Sequence, residues 1–425
     1  MRLSSAPEPW GPVPNALFDA HLSPASAAPL AVAYSGGGDS LALLLAAHTW
    51  SRARGRRLVV LHVDHGLQTA AGVWAAHCQA TAERLGLPFQ SLTWTGPKPA
   101  TGLPAAARAA RHRLLADAAR AIGAPVVLLG HTADDVLETR QMRRDGATTP
   151  DPRPWAPSPA WPEGRGVFLL RPLLATRRSE LRARLEGQPL TWIEDPANAD
   201  LAYARARARA RLAGERDASP EAPGADHEVK ALAQAARHAP GGAINWDRSI
   251  LRAAPGPARA RLLSIACLCA AGGARPPRRE AVERIAAQVA GASDSTATLA
   301  GARIEITGAE VWVMREAGEA RRGGLTEVLL AADQPTVWDG RFEVRATGPG
   351  LRAGPLAGRL SQLETQERRR LAPLPAGVRR AWPALIDSQD QVRLTVDGVT
   401  VESLVQSRFD AAAGLVTREP DPNPA

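Results

Sequence analysis

The sequence predicts an α/β fold: a parallel sheet covered by helices on both faces, followed by a helical to α+β region. Three observations carry this. Short apolar runs alternate strictly with helical stretches through the first half of the chain, which is the pattern of successive βαβ units. A triple-glycine turn joins the first apolar run to the helix after it. Beyond Ser293 the texture changes to short strand-like runs separated by glycine turns. At 425 residues the chain is too long for one ordinary domain.

Taken in order, Pro29–Tyr34 reads as a buried strand and Leu41–Trp50 as the helix after it. Leu58–Val63 is a second strand and Gly72–Leu85 a second helix. Phe89–Trp94 is a weaker third strand, and Pro104–Ile122 a long helix of alanine and arginine. Pro125–Gly130 is a fourth strand, with a helix over Ala133–Arg144. Asp145–Gly166 holds many prolines with Trp155 and Trp161, and reads as an irregular loop over the site or a disordered excursion. Val167–Leu170 and Thr176–Glu186 read as a last strand and helix. In such sheets ligands bind beyond the carboxyl ends of the strands.

The expected organisation is an N-terminal extension (1–27), a nucleotide-binding domain (28–213), a polar Pro/Gly linker (214–226), a helical to α+β region (227–330), and a small β-rich region with a disordered tail (331–425). Strands are expected at Arg303–Ile306, Glu310–Met314, Val337–Val344 and Val392–Val396. The net charge of +9 is almost all arginine, the lysines being Lys98 and Lys230. A basic surface attracts nucleic acid; a GC-rich genome would produce the same excess. The longest clean apolar run, Leu41 to Ala47, is far short of the roughly 20 residues a membrane span needs. Cys78, Cys267 and Cys269 show no zinc-type spacing and read as buried small hydrophobes in a reducing cytoplasm.

The most specific segment is Ser35-Gly36-Gly37-Gly38-Asp39-Ser40, between the first strand and its helix. Glycines let the backbone turn sharply, and successive N–H groups at a helix N-terminus form a nest for an anion such as pyrophosphate. Ser35 and Ser40 add hydroxyl donors. Asp39 would repel phosphate directly, and makes sense with Mg²⁺ between them. The blander reading is a tight turn with Asp39 or Ser40 favouring the helix start. No Gly-Lys-Ser/Thr follows, so this is not a Walker A loop. The hexapeptide matches Ser-Gly-Gly-x-Asp-Ser, and so resembles the PP-loop of the ATP-pyrophosphatase superfamily.

Further segments follow in order: His62-Val-Asp-His-Gly-Leu67, Ala107-Arg-Ala-Ala-Arg-His112, His131-Thr-Ala-Asp-Asp-Val-Leu-Glu-Thr139, Leu170-Arg-Pro-Leu-Leu174, Trp192-Ile-Glu-Asp-Pro-Ala-Asn198, and Tyr203-Ala-Arg-Ala-Arg-Ala-Arg209. With the loop they resemble the bacterial tRNA(Ile)-lysidine synthetases over about residues 28–212. The chain departs from that family's pattern in Val136-Leu137 for Gln-Ala, His112 for Tyr, Ala206 for Asn, and the Pro/Trp loop for a Gly-rich stretch. The resemblance implies a Rossmann-like PP-loop domain and a cytoplasmic ligase using ATP and Mg²⁺. It implies as partners free L-lysine and a tRNA(Ile) with a CAU anticodon, whose wobble cytidine is adenylated and then joined to lysine; the alternatives are another PP-loop tRNA-modifying enzyme such as a thiolase, or a non-catalytic tRNA-binding protein.

Residue by residue, Ser35–Ser40, His62, Arg111 and Arg205 are expected at the nucleotide, and Asp39 with Asp135 at Mg²⁺. His131, Glu138 and Arg108 are expected at the substrate, and Asp39, Asp135 and Glu138 at the chemistry. On a helix starting near Thr132, His131, Asp134, Asp135 and Glu138 share one side; the alternative is that Thr132 and Asp135 cap the helix. Glu138 is assigned to cytosine or to lysine without a choice between them, and Asp134 to capping or function equally. His62 and His65 flank Asp64 without a third ligand at convincing spacing, which argues against zinc.

Overall fold

The structure, a computed structural model, describes residues 12–147, 151–195, 200–202, 204–212 and 226–420. Residues 214–225 of the linker expected at 214–226, Pro196–Asn198, Tyr203 and the last five residues lie outside them. The chain forms two compact units, one running to Ala222 and resuming at Thr417, the other spanning Pro223–Val416.

In the first unit the order is α1 (Pro12–His21), β1 (Leu30–Ala33), α2 (Gly38–Ala53), β2 (Leu58–Asp64), α3 (Ala71–Arg84), β3 (Phe89–Thr93), α4 (Leu103–Ala121), β4 (Val126–Leu128), α5 (Ala133–Arg144), β5 (Trp155–Pro157), β6 (Phe168–Leu170), α6 (Arg178–Leu185) and α7 (Ala204–Leu212). One six-stranded sheet has the order β3-β2-β1-β4-β6-β5, parallel except for edge strand β5. Strand residues alternate between its faces. Leu30, Val32, Val60 and Leu128 pack with α1, α2, α3 and α6 on one side, while Ala31, Leu61, Val127 and Leu169 meet α4 on the other. Burial on both faces is why these strands read as continuous apolar runs. The order reverses between β1 and β4, so the loops leaving these two strands flank a switch point, where such sheets bind ligands.

Asp145–Gly166 differs from expectation. Its described part forms β5 on the sheet edge, drawn there by Trp155, whose ring stacks on Phe168 at 4.7 Å and on His21 at 5.0 Å. The N-terminal extension also contains a helix, α1, which buries Phe18 against Trp50 of α2.

The second unit runs α8 (Asp226–Gln234), β7 (Arg237–Ala239), β8 (Ala243–Asp247), α9 (Arg248–Ala253), α10 (Gly256–Ala270), α11 (Arg279–Ala290), β9 (Ser295–Leu299), β10 (Ala302–Ile306) and β11 (Glu310–Arg315). It continues with β12 (Val328–Leu329), β13 (Thr336–Trp338), β14 (Phe342–Ala346), β15 (Arg352–Pro355), α12 (Thr365–Leu371), α13 (Ala376–Arg380), β16 (Pro383–Ile386), β17 (Val392–Arg393), β18 (Val399–Ser403) and α14 (Val405–Ala413). Sheets of five, four and three strands result. The strand expected over Val337–Val344 is a hairpin, since Asp339 and Gly340 both take positive φ and reverse the chain. The boundary expected at 330 does not divide the unit: Val405, Phe409 and Ala413 of α14 fill the same core as Leu262 and Ala266 of α10, so the end of the unit completes its beginning.

The described part of the tail, expected to be disordered, is held in place. Thr417–Pro420 belongs to the first unit. Glu419 accepts two hydrogen bonds from the Arg56 guanidinium, at 2.9 and 2.7 Å, and both side chains are buried. Its backbone N–H donates to the His21 carbonyl.

Candidate active site

A cavity of about 500 Å³ opens at the switch point. The glycine loop forms one wall. Gly36 has φ +89°, and Ile193 lies on it: its N–H donates to the Gly36 carbonyl at 2.9 Å, and a Cβ at Gly36 would meet the Ile193 Cδ1 at 2.6 Å. Gly130, after β4, approaches the loop so closely that a Cβ would lie 3.1 Å from the Asp39 carbonyl oxygen. Gly37 caps α2, so the first N–H groups of that helix face the cavity, which Ser35, Gly37, Gly38, Asp39 and Ser40 line. Two expectations change here. Gly36 carries the crossing segment rather than lining the cavity. The Ser40 hydroxyl donates to the Gly37 carbonyl at 2.8 Å and sits 3.1 Å from the Ser35 hydroxyl, so it closes the loop rather than standing free as a donor.

The acids converge on arginine. Asp135 satisfies both readings of its position. Its Oδ2 accepts from the Thr132 N–H at 2.6 Å and the Thr132 hydroxyl at 2.9 Å, completing a capping box; its Oδ1 accepts from Arg205 at 2.6 Å and Arg178 at 3.3 Å. Glu138 is buried, with Arg209 at 2.7 Å and Arg178 at 3.2 Å on one oxygen and Arg205 at 2.8 Å on the other. Burial alone would push its carboxyl up, but hydrogen bonds from Arg209 and Arg205 and the charges of Arg205 and Arg178 hold it below the usual carboxylate range. Asp39 accepts from Arg178 Nε at 2.8 Å; burial nevertheless pushes its carboxyl up, against the pull of Arg178. Asp134 turns to α6, accepting from the Arg178 backbone N–H at 2.7 Å. Arg205, expected at phosphate, thus holds Asp135 and Glu138, because it leaves α7 directly opposite α5.

The histidines split by role. The Arg171 Nε donates to His131 Nδ1 at 3.2 Å, so His131 carries its proton on Nε2. Burial, then Arg171 and Arg111, hold it neutral, and it lines the cavity as a donor. His62 Nδ1 lies 3.0 Å from the Tyr34 carbonyl, which places a proton on Nδ1, and the ring stands at the cavity wall. Arg111 lines the cavity with its Nε buried and unpartnered; burial and then its neighbours Arg108 and Arg205 push it down to about 10. Arg108 is exposed and stands outside the lining.

Sequence reading missed Arg178 and Arg209. The available signal was position: Arg178 opens the helix after β6, the strand next to β4, so it exits on the same sheet edge as the acids. Cys78 lies closer to the loop than expected, its Sγ 3.1 Å from where a Gly36 Cβ would be. Burial pushes its thiol up to about 12, which withholds a thiolate nucleophile.

Residues 15–216 match a family model described as a PP-loop domain. The chain is 46% identical to the tRNA(Ile)-lysidine synthase of Caulobacter vibrioides, over 95% of this chain and 98% of that one. The chain belongs to the tRNA(Ile)-lysidine synthase family. The synthase of Hyphomonas neptunium is 35% identical over 79% of this chain and 92% of its own, and that of Brucella anthropi 33% identical over 81% and 82%. Membership makes the chain an ATP-using enzyme of the ligase type. Among the described residues no helix is long and apolar enough to cross a membrane.

His112 stands where the family's tyrosine is expected. It is buried, both ring nitrogens lack partners, and burial, then Arg111 and Arg108, push it down to about 2. A base with a depressed folded pKa binds its proton first in the unfolded chain. Its stabilising contribution is therefore complete above about pH 6.5 and is lost as pH falls toward 2. Between pH 7.5 and 5.5 the first unit is expected to lose about 1 kcal/mol on this account. Urea denaturation at the two pH values checks this, and His112→Tyr should reduce the difference by about this amount, His131 supplying a part that remains; an equal loss in the variant would remove His112 as a source.

Proposed function

We propose that the protein ligates free L-lysine to C2 of the wobble cytidine of a CAU-anticodon tRNA(Ile), giving lysidine, AMP and pyrophosphate. The observation that carries this reading is the meeting, at one switch point, of a phosphate nest with an arginine-held acid trio, Asp39, Asp135 and Glu138, in a chain nearly half identical to a synthase along almost its whole length. The cytidine O2 attacks the α-phosphorus of ATP and pyrophosphate leaves toward the N–H groups of Gly37 and Gly38, where a helix N-terminus stabilises the departing charge. The ε-amine of lysine, having lost a proton, then adds at C2 and AMP departs.

Two aspartates facing one cation suit a hard divalent ion, which needs only one or two carboxylates besides phosphate and water. Asp39 and Asp135 would hold Mg²⁺, which when bound neutralises phosphate charge. His131 Nε2–H and Arg111 offer donors to the nucleotide or the RNA. Glu138, kept ionised, suits an N–H or ammonium donor better than proton storage, which fits the amino group of cytosine or that of lysine.

The test is incubation with ATP, Mg²⁺, labelled lysine and unmodified CAU-anticodon tRNA(Ile). Label should enter RNA only with all components present. Pyrophosphate formed with tRNA but without lysine incorporation would retain adenylation and overturn the lysine assignment; no product of either kind would overturn the whole reading.

A further inference from the structure

Arg178 is the meeting point of the acids. It is the first residue of α6, and its backbone N–H is fixed on Asp134, so its side chain alone is free to turn. Each guanidinium nitrogen meets a different carboxylate: Nε on Asp39 at 2.8 Å, Nη1 on Glu138 at 3.2 Å, Nη2 on Asp135 at 3.3 Å. Among the described residues, Arg178 is the cation in ion-pair contact with Asp39. Asp135 and Glu138 have others: Arg205 touches both, and Arg209 touches Glu138. Withdrawing Arg178 would therefore strip Asp39 of its cation and leave the other two acids compensated. The place it would vacate lies between two aspartates and beside the helix N-terminus that faces phosphate.

We propose that Arg178 is a positioning residue that keeps the cation place between Asp39 and Asp135 in the free protein and yields it to the divalent ion when the triphosphate of ATP enters. The inference rests on the nucleotide reading above. A polyphosphate competes well for a guanidinium, because its oxygens match the planar fork of donors. The move is short, since Nε already sits on the aspartate of the loop itself. The metal and the nucleotide then enter together, because each removes the obstacle to the other: phosphate draws off Arg178, and the metal compensates the aspartates left behind. Such coupling is reciprocal between the two ligands. A protein so built does not bind Mg²⁺ at this place ahead of its nucleotide.

The experiment uses the full chain, Mn²⁺ as a paramagnetic probe, and an ATP analogue with a methylene between the α and β phosphorus atoms. Without nucleotide, Arg178→Gln is expected to bind Mn²⁺ roughly tenfold or more tightly than the wild type, since it leaves the Asp39 carboxylate without its ion-pair partner beside a second carboxylate, Asp135. The analogue should tighten Mn²⁺ binding to the wild type by a similar factor and to the variant by much less. Adding Asp39→Asn to Arg178→Gln should abolish the gained binding. Equal Mn²⁺ affinity of wild type and Arg178→Gln without nucleotide overturns the proposal, as does an analogue effect of equal size in both. Arg178→Lys, which keeps a point charge but not the fork, supplies a milder variant should the glutamine form fail to fold, and is expected to fall between the two. If the analogue does not bind the wild type at all, the nucleotide reading itself fails; if it binds and the Mn²⁺ affinities are still equal, only the role of Arg178 fails.

Discussion

Asp39→Ala is expected to reduce lysine incorporation by roughly 10³-fold or more while leaving RNA affinity within a few-fold of wild type. The side chain stands in the first turn of α2, against the groups that face phosphate, and lines the cavity. Its removal withdraws one of the two carboxylates available to a metal and the ion-pair partner of Arg178 Nε. Losing a single group aimed at developing charge in a water-poor site already costs about 10²–10³ in rate. Here the metal and the arginine are both left misplaced. Asp39→Asn is the sharper variant, because it keeps the size and the hydrogen-bonding reach and removes the charge. Single-turnover incorporation of labelled lysine and filter binding of the tRNA, run on the same preparations, separate the two effects. Turnover within tenfold of wild type would remove Asp39 from the chemistry. Equal losses of turnover and RNA affinity would make it a residue of RNA binding or folding.

The first unit was legible because burial on both faces of a parallel sheet writes itself as apolar runs, and because caps mark helix ends. The helix over Ala133–Arg144 matches expectation at both limits, since Thr132 and Asp135 form the cap that the sequence advertises. The glycine loop was legible for a similar reason: a sharp strand–helix turn at a positive φ leaves few residue choices. The arginines were not. The chain carries almost all its positive charge as arginine, and nothing local distinguishes Arg178, with three acids around it, from Arg207, which caps nearby carbonyls. What distinguishes them is which strand end each one leaves from, a property of sheet order that appears only once β6 is known to lie beside β4. The same holds in the second unit. The segment 237–247 carries β7 and β8 within a stretch of mostly helical pattern, because β8 is defined by pairing with β11, more than sixty residues on, and β7 by pairing with β8. Short strands that owe their existence to distant partners leave a weak local signal.

The other large effect concerns a residue far from the chemistry. Glu419 is the clearest case of a long-range contact with no local signature, one of two acidic side chains in a Pro-rich tail. Arg56 also donates to the carbonyls of Ala28 and Ser23, and Glu419 supplies the negative charge among the acceptors around its buried guanidinium. Glu419→Ala removes that charge and leaves Arg56 buried and uncompensated. Breaking a buried pair from one side costs about 3–5 kcal/mol, whereas replacing both partners by apolar groups of similar volume is close to neutral. The single variant is therefore expected to lower the opening free energy of the first unit by about 3–5 kcal/mol, and Arg56→Met/Glu419→Met to recover most of it. Hydrogen exchange over peptides covering residues 17–34 and 54–64 reads this directly, since Arg56 sits between the end of α2 and the start of β2. Ending the chain at Val416 should cost at least as much as Glu419→Ala, because it bares the same guanidinium and also removes the hydrogen bonds of Thr417, Arg418 and the Glu419 backbone. If the double methionine variant is as unprotected as the single one, the stabilisation comes from the Glu419 backbone hydrogen bond to His21 and the packing around it, and not from the ion pair. Loosening here would travel along β2 to His62 at the cavity wall, so the truncated protein is expected to lose turnover in proportion to lost protection while Asp39 and Arg178 stay intact.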